Sequence, residues 1–377
     1  MNRKELSEIR RRIRPDRNSI YRIYGCYVNA NGDIISEFDT SLGIMGEEET
    51  EMYLKLIRKA ISGTVGKHLL DIEFTADQIT QSENHRLLMK LNNSSLADSD
   101  ARKELYDRII SSVDFEDRNF LILLASDTMD VRPKESDGES FDEFAEDVHR
   151  YFICAVCPVK SSAVELKYNS ENGRFSGMAS GQIAGPPETG FMFPEFTGRS
   201  GDIYNALYFT RKPALINSRF IENVFSASVP MSAPKQKHTF GYALSEALEN
   251  ECSMDVVSSL HEEMCTRIEE HRALKEEDAL CVTPQEVGLL LRSSGVDEEK
   301  ADSFRKECEK YFGENAELNP NNLVDARRFV VETPDVRIIV PGDRQDLVET
   351  RVIDGRKYIL ISADEGVTVN GIDINIE

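Results

Sequence analysis

Two apolar runs constrain this chain more than any other feature. Phe120 to Ser126 reads FLILLAS, and Tyr151 to Val159 reads YFICAVCPV. Each is strand length and apolar throughout, the pattern of a strand buried on both faces at the centre of a sheet. Whatever else folds has to cover both faces of these two segments. Regular strand–helix alternation is missing around them. Strands and helices come first, a helical stretch next and a small set of strands last. This order predicts an α+β protein rather than a βαβ series. The expected organisation is a mixed body over residues 1–231, a helical region over 232–319 and a β-rich unit over 320–377.

Local signals fill in this frame. An N-terminal helix should end near Pro15. Alternating runs on either side of Asn31-Gly32-Asp33 predict a hairpin. Helices are expected over roughly 47–61, 77–91 and 99–113, with a short strand, HLLDIEF, after the first of them. The acidic stretch from Asp127 to His149 reads as an exposed loop with one helical turn. A further hairpin should turn at Glu171-Asn172-Gly173. Past residue 232 the periodicity is helical. Thr283-Pro284-Gln285-Glu286 spells a capping box with Pro at the first helical position. Gly295 should end that helix, and Asp297 can cap the next. The tail alternates around Asp354-Gly355 and Asn370-Gly371, two strong hairpin turns.

Composition excludes several classes of function. The 377 residues, 40% of them hydrophobic, suffice for a sizeable core. A net charge of -22 repels nucleic acid and anionic membranes. Residues 1–22 differ, with eight Arg or Lys against three acids. They read as a helix whose basic face is solvated or docked on the protein's own surface. Alternatively, Arg10, Arg11, Arg12 and Arg14 form a basic arm for RNA, the ribosome or an acidic partner. No apolar export segment precedes this helix, and no apolar run is long enough to span a membrane. A cytoplasmic location with seven reduced cysteines is therefore expected.

Few residues carry recognisable chemistry. Cys154 and Cys157 have the spacing of a zinc knuckle. In a strand, however, their side chains point to opposite faces, and no second ligand pair exists. Both read as core thiols. His261 and Cys265 stand one helical turn apart without a third ligand, and read as a surface histidine beside a buried thiol. SGTVGKH, from Ser62, lacks the spacing of a phosphate loop and reads as a helix end running into a strand. SGVDEEKA lacks the second glycine of a helix-hairpin-helix turn. Neither a metal nor a cofactor is expected. The segment from Gly190, GFMFPEFTGRSGDIYNALYFTRKP, combines Phe191, Phe193 and Phe196 with Arg199 and Asp202 on a glycine-flanked loop. These are the ingredients of a binding lip. The alternative is a loop pinned to the core by its phenylalanines, with Asp202 capping a helix or pairing with Arg199.

RIYGCYVN, FICAVCPVK, GFMFPEFTGRSGDI and TRVIDGRKYILISADEGVTVNGI together resemble an uncharacterised family of bacterial proteins catalogued only as a domain of unknown function. The resemblance covers nearly the whole chain and implies a bacterial, cytosolic, single-chain protein. It brings no activity, cofactor or catalytic residue with it. The residues themselves point first to a non-catalytic interaction or regulatory protein with an unidentified protein partner. An alternative is a hydrolase-type enzyme with a pocket near the 190–205 loop. A second alternative is RNA or ribosome association through the N-terminal helix. Nucleic acid is otherwise not an expected partner, and neither is a membrane.

Overall fold

The computed structural model describes residues 1–114, 117–131, 147–161, 164–169, 173–179, 181–276, 278–314, 316–364 and 366–375. The chain divides into two compact units, Met1–Ser232 and Ala233–Glu377. Antiparallel sheets and separate helices make it an α+β protein.

The first unit runs in order through α1 (Arg3–Arg12), β1 (Arg22–Val28), β2 (Ile34–Ser41), α2 (Glu47–Lys59) and β3 (Leu69–Glu73). Three helices follow, α3 (Ala76–Gln81), α4 (Glu83–Asn93) and α5 (Ser99–Ile110). Next come the long strands β4 (Phe120–Val131) and β5 (Asp147–Ser161), and then β6 (Val164–Asn169), β7 (Arg174–Ala179) and β8 (Gln182–Ala184). The unit closes with β9 (Thr189–Phe193), β10 (Glu195–Thr197), β11 (Ser200–Asp202), β12 (Asn205–Thr210) and α6 (Ser218–Phe225).

One antiparallel sheet organises this unit, in the order β2-β1-β4-β5-β9-β12-β3, with β8 paired to β5. The two apolar runs lie side by side at its centre, in register from Phe120↔Pro158 to Val131↔Asp147. Alternation along β4 and β5 creates two cores. Ile122, Leu124, Phe152, Cys154 and Val156 face Leu88, Leu105, Tyr106 and Phe220 of α4, α5 and α6. Leu123, Ala125, Ile153, Ala155 and Cys157 face Leu6 and Ile9 of α1 and Leu54 and Ile57 of α2.

Several expectations need correction. The central strands extend past their apolar runs, so both ends of the acidic stretch are strand; its middle, 132–146, lies outside the described residues. Pairing with a long neighbour overrides the weak local propensity there. The helix expected over 77–91 is two helices, broken at Ser82, whose hydroxyl accepts from His85 N and caps α4. Strands β6 and β7 pair as a hairpin, although Glu171 and Asn172 of the expected turn lie outside the described residues. Helix α6, capped by Asn217, was not anticipated.

The second unit contains α7 (Ala233–Leu248), α8 (Met254–Leu274), α9 (Pro284–Ser293), α10 (Glu298–Phe312) and α11 (Pro320–Leu323). Phe240, Leu248, Met264, Val287, Leu291 and Phe304 form its helical core. The capping box at Thr283 forms as expected. Asp297 occupies the cap position of α10, but its side chain makes no capping bond. Three hairpins follow: β13 (Arg328–Glu332) with β14 (Arg337–Pro341), β15 (Val348–Ile353) with β16 (Arg356–Ile361), and β17 (Val367–Val369) with β18 (Ile372–Ile374).

Gly190 of β9 tests this account of the first unit. A Cβ there would collide with the Cys154 carbonyl oxygen and lie 3.1 Å from Ala60 Cβ of the covering layer. Gly190→Ala is expected to destabilise the chain by about 1–3 kcal/mol through overpacking, read from the urea midpoint. An unchanged midpoint would contradict the packing described.

Candidate functional site

The 190–205 loop and the N-terminal helix, separate candidates in the sequence, are neighbours in the fold. Strands β10 and β11 form a small hairpin whose turn residues, Gly198 and Arg199, have φ of 61° and 64°. The Arg199 guanidinium donates to Glu8 Oε2 of α1 at 2.8 Å, and its backbone N–H donates to Glu5 Oε1 at 3.3 Å. Asp202 neither caps a helix nor pairs with Arg199. It accepts from Tyr204 N at 2.9 Å and Asn205 Nδ2 at 2.8 Å, which fixes the entry to β12.

Of the two readings of this segment, the contacts match the loop pinned to the core by its phenylalanines rather than an aromatic lip. Phe191, Phe193 and Phe196 are fully buried. Strand alternation sends Phe191 and Phe193 into the layer of α4–α6, and Phe196 falls in the opposite layer with α1. The glycine-flanked tip of the hairpin is exposed, but the three phenylalanines are not.

The basic arm is divided in the same way. Leu6, Ile9 and Ile13 anchor this segment in the core. Arg10 donates to the carbonyls of Ile61 at 2.7 Å and Gly63 at 3.0 Å. Arg12 donates to Thr128 O at 2.7 Å and lies 3.7 Å from Asp127. Arg11 and Arg14 are exposed. Arg10→Ala removes two bonds to carbonyls and is expected to lower stability by about 1–3 kcal/mol, whereas Arg11→Ala should stay within roughly 0.5 kcal/mol of wild type. Equal urea midpoints for the two variants would overturn this division.

Two ionisable groups that sequence reasoning missed are buried at the β10–β11 hairpin, one beneath it and one in its first strand. His149 of β5 stacks between Tyr151 and Phe196, at ring distances of 5.1 and 4.9 Å. Among the described residues neither ring nitrogen has a hydrogen-bond partner, and burial lowers its pKa to about 4. Glu195 is 1% exposed and binds the amino group of Met1. Burial and then Asp71 raise its pKa to about 7, against the pull of that ammonium. Tyr151 donates to Asp127 at 2.8 Å, and Asp127 also accepts from Ser19 N at 3.1 Å. No sequence signal marked His149 or Glu195, because each takes its character from elements distant in the chain. The cluster is closed to solvent and joins α1 to the sheet.

These shifts have opposite signs in stability. His149 binds its proton less readily folded than unfolded, so its contribution is present above the ordinary 6.5 and lost as pH falls towards 4. Glu195 binds its proton more readily when folded, so its contribution is present below the ordinary 4.5 and lost as pH rises through 7. Each shift corresponds to on the order of 3 kcal/mol, and the two oppose each other between about pH 4.5 and 6.5. His149→Phe should flatten the acid-side loss in urea midpoint, and Glu195→Gln the loss towards neutrality. Variant profiles parallel to wild type would show that neither group governs the pH response.

The remaining candidates are structural in their contacts. Cys154 and Cys157 lie in opposite cores, so their sulfurs cannot meet across the sheet. Burial pushes the Cys157 thiol up to about 12 and the Cys154 thiol well up, which keeps both protonated. His261 and Cys265 reverse the expected exposure. The histidine is buried and lies 3.2 Å from the Asp325 carbonyl oxygen, while the thiol is half-buried and 3.6 Å from His261 Nδ1. Ser62 to His68 joins α2 to β3, as its sequence suggested. Among the described residues, no group of three His, Cys, Asp or Glu could hold a metal ion.

A different surface emerges at the C-terminal hairpins. Among the described residues, each of their strands pairs only with its hairpin mate, so the outer edges carry no further strand. Val352 is 70% exposed, and Ile353, Tyr358 and Ile361 are exposed as well. The register puts Val352 opposite Lys357 and Ile353 opposite Arg356. Arg351 pairs with Glu349 at 2.8 Å, whereas Arg356 and Lys357 have no ion pair among the described residues. An aliphatic hairpin with open edges and uncompensated positive charge is therefore displayed on an acidic protein.

The chain is thus an α+β protein of two units, with a closed polar cluster in one and displayed hairpins in the other. It belongs to the family described as Domain of unknown function (DUF4317), whose model matches residues 1–372. No curated protein matches it. Among the described residues, no helix is long and apolar enough to cross a membrane.

Proposed function

We propose that the protein is a non-catalytic, cytosolic interaction protein that binds an extended, acidic segment of a protein partner along the β15–β16 hairpin. The observation that carries this reading is the open-edged pair of strands, with Val352, Ile353 and Tyr358 exposed beside Arg356 and Lys357, which have no ion pair among the described residues. An isolated two-stranded hairpin is marginal in water, and a third strand supplies backbone hydrogen bonds as well as cover for apolar side chains. The positive charge selects an acidic strand over a basic one, because like charges in register repel. Arg199 and Asp202 are engaged in internal contacts, and His149 and Glu195 are buried, so a hydrolase at that loop has less support. The RNA reading keeps only Arg11 and Arg14 of its four arginines exposed.

The test is selection of a displayed random-peptide library against the whole chain. The selected peptides should alternate aliphatic residues with Asp or Glu, protect β15 and β16 amides from hydrogen exchange, and lose binding to the R356E/K357E double variant. Peptides without acidic preference that bind this variant as well as wild type would refute the proposal.

A further inference from the structure

The first unit carries a second surface feature, unrelated to the C-terminal hairpins. At one end of the sheet, a cavity of about 220 Å³ lies where β9 begins and β12 ends. A neighbouring cavity of about 400 Å³ opens beside the end of β5. Glu188 and Arg211 line both. Between them the two linings bring together Arg118, Lys160, Arg211 and Lys212, against the carboxylates of Asp114 and Glu188. A local cationic excess on a chain of net charge -22 runs against the field of the whole molecule.

The cavity is also built on firm ground. Thr189 and Thr210 in its lining are 6% and 2% exposed. Thr189 Oγ1 donates to Phe209 O at 3.2 Å and Thr210 Oγ1 to Lys212 O at 3.1 Å, which ties the strand ends to the cationic segment. The backbone N–H of Arg211 donates to Glu188 O at 2.9 Å, so the two shared residues are held across from each other. The Arg118 guanidinium lies 3.6 Å from the Glu188 carboxylate. That distance is long for a charge-assisted hydrogen bond, so this ion pair, one of the contacts Arg118 makes, is weak enough for an incoming anion to compete with Glu188.

We infer that this end of the sheet binds a small anionic metabolite. Its phosphate or carboxylate group sits in the smaller cavity against Arg118, Arg211 and Lys212, and the rest of the molecule extends past Arg211 into the larger one. Guanidinium forks suit both anions, and the volumes suit a ligand of metabolite size rather than a polymer. Glu188 acts as the resident counter-charge, which the ligand displaces from Arg118.

Isothermal titration of the whole chain at matched ionic strength tests this, with ribose 5-phosphate, inorganic phosphate and citrate as probes and sodium chloride as the control. Saturable binding of the phosphates or of citrate is expected, and whichever binds identifies the anion class. Arg211→Ala and Lys212→Ala, both at exposed positions, should fold as wild type and weaken binding by roughly tenfold or more. Glu188→Gln should bind more tightly than wild type, which no general effect of ionic strength would produce. Absence of saturable heat with every probe, or binding indifferent to Arg211→Ala and Lys212→Ala, would overturn the site. A Glu188→Gln protein that binds no tighter would remove the role given to Glu188.

Discussion

The pairing of β4 with β5 is the contact on which the first unit depends. Twelve residues of each strand run in register, and both faces of the pair are covered. Because side chains alternate along each strand, one ladder of backbone hydrogen bonds divides the interior into two cores. Every helix of this unit that contributes to either core does so by packing on that sheet. The close approach of Gly190 to Cys154 has the same origin: β9 lies against β5, under the layer that holds Ala60.

The closed polar cluster follows from this arrangement. The extension of β5 places His149 and Tyr151 under the β10–β11 hairpin, and α1 closes over the same region. Glu5 and Glu8 hold Arg199, Asp127 holds Ser19 and Tyr151, and Arg12 reaches Thr128. A helix with a basic sequence thus makes its main contacts within the protein. Its charge bridges loops that the sheet has brought near, and only two of the four candidate arginines face solvent. The loop that looked most open in sequence is held at its base by buried Phe193 and Phe196 and at its turn by Arg199 on Glu5 and Glu8. The surfaces left available are elsewhere, at the cationic sheet end and on the displayed C-terminal hairpins.

Sequence reasoning succeeded where the deciding physics was local. Thr283 and Glu286 form their capping box because both partners lie within one helical turn. The Asp354-Gly355 and Asn370-Gly371 turns form because few other residue pairs accept positive φ at both positions, and Gly32 supplies the positive φ that the turn after β1 needs. Cys154 and Cys157 separate to opposite cores because a strand has a period of two. It failed where distant segments decide. Local polarity predicted a loop at Asp127 and at His149, but pairing with a long neighbour made both strand. Local sequence left a displayed lip and a pinned loop both open at Phe196, and only the buried slot beside His149 decides for the pinned loop.

The sequence by itself determined the α+β class, most helices and hairpins, the burial of the central strands and the fate of the paired cysteines. These follow from periodicity, turn chemistry and apolar run length, which act over a few residues. Only the tertiary structure decided which charged groups remain available. Arg10, Arg12, Arg199 and Asp202 are engaged by partners close in space, and for the three arginines those partners lie many residues away in the chain. Arg118, Lys160, Arg211 and Lys212 converge at one end of the sheet although the chain order scatters them. Charge and polarity are local properties of a residue, but whether they are satisfied depends on what the fold brings within a few ångströms.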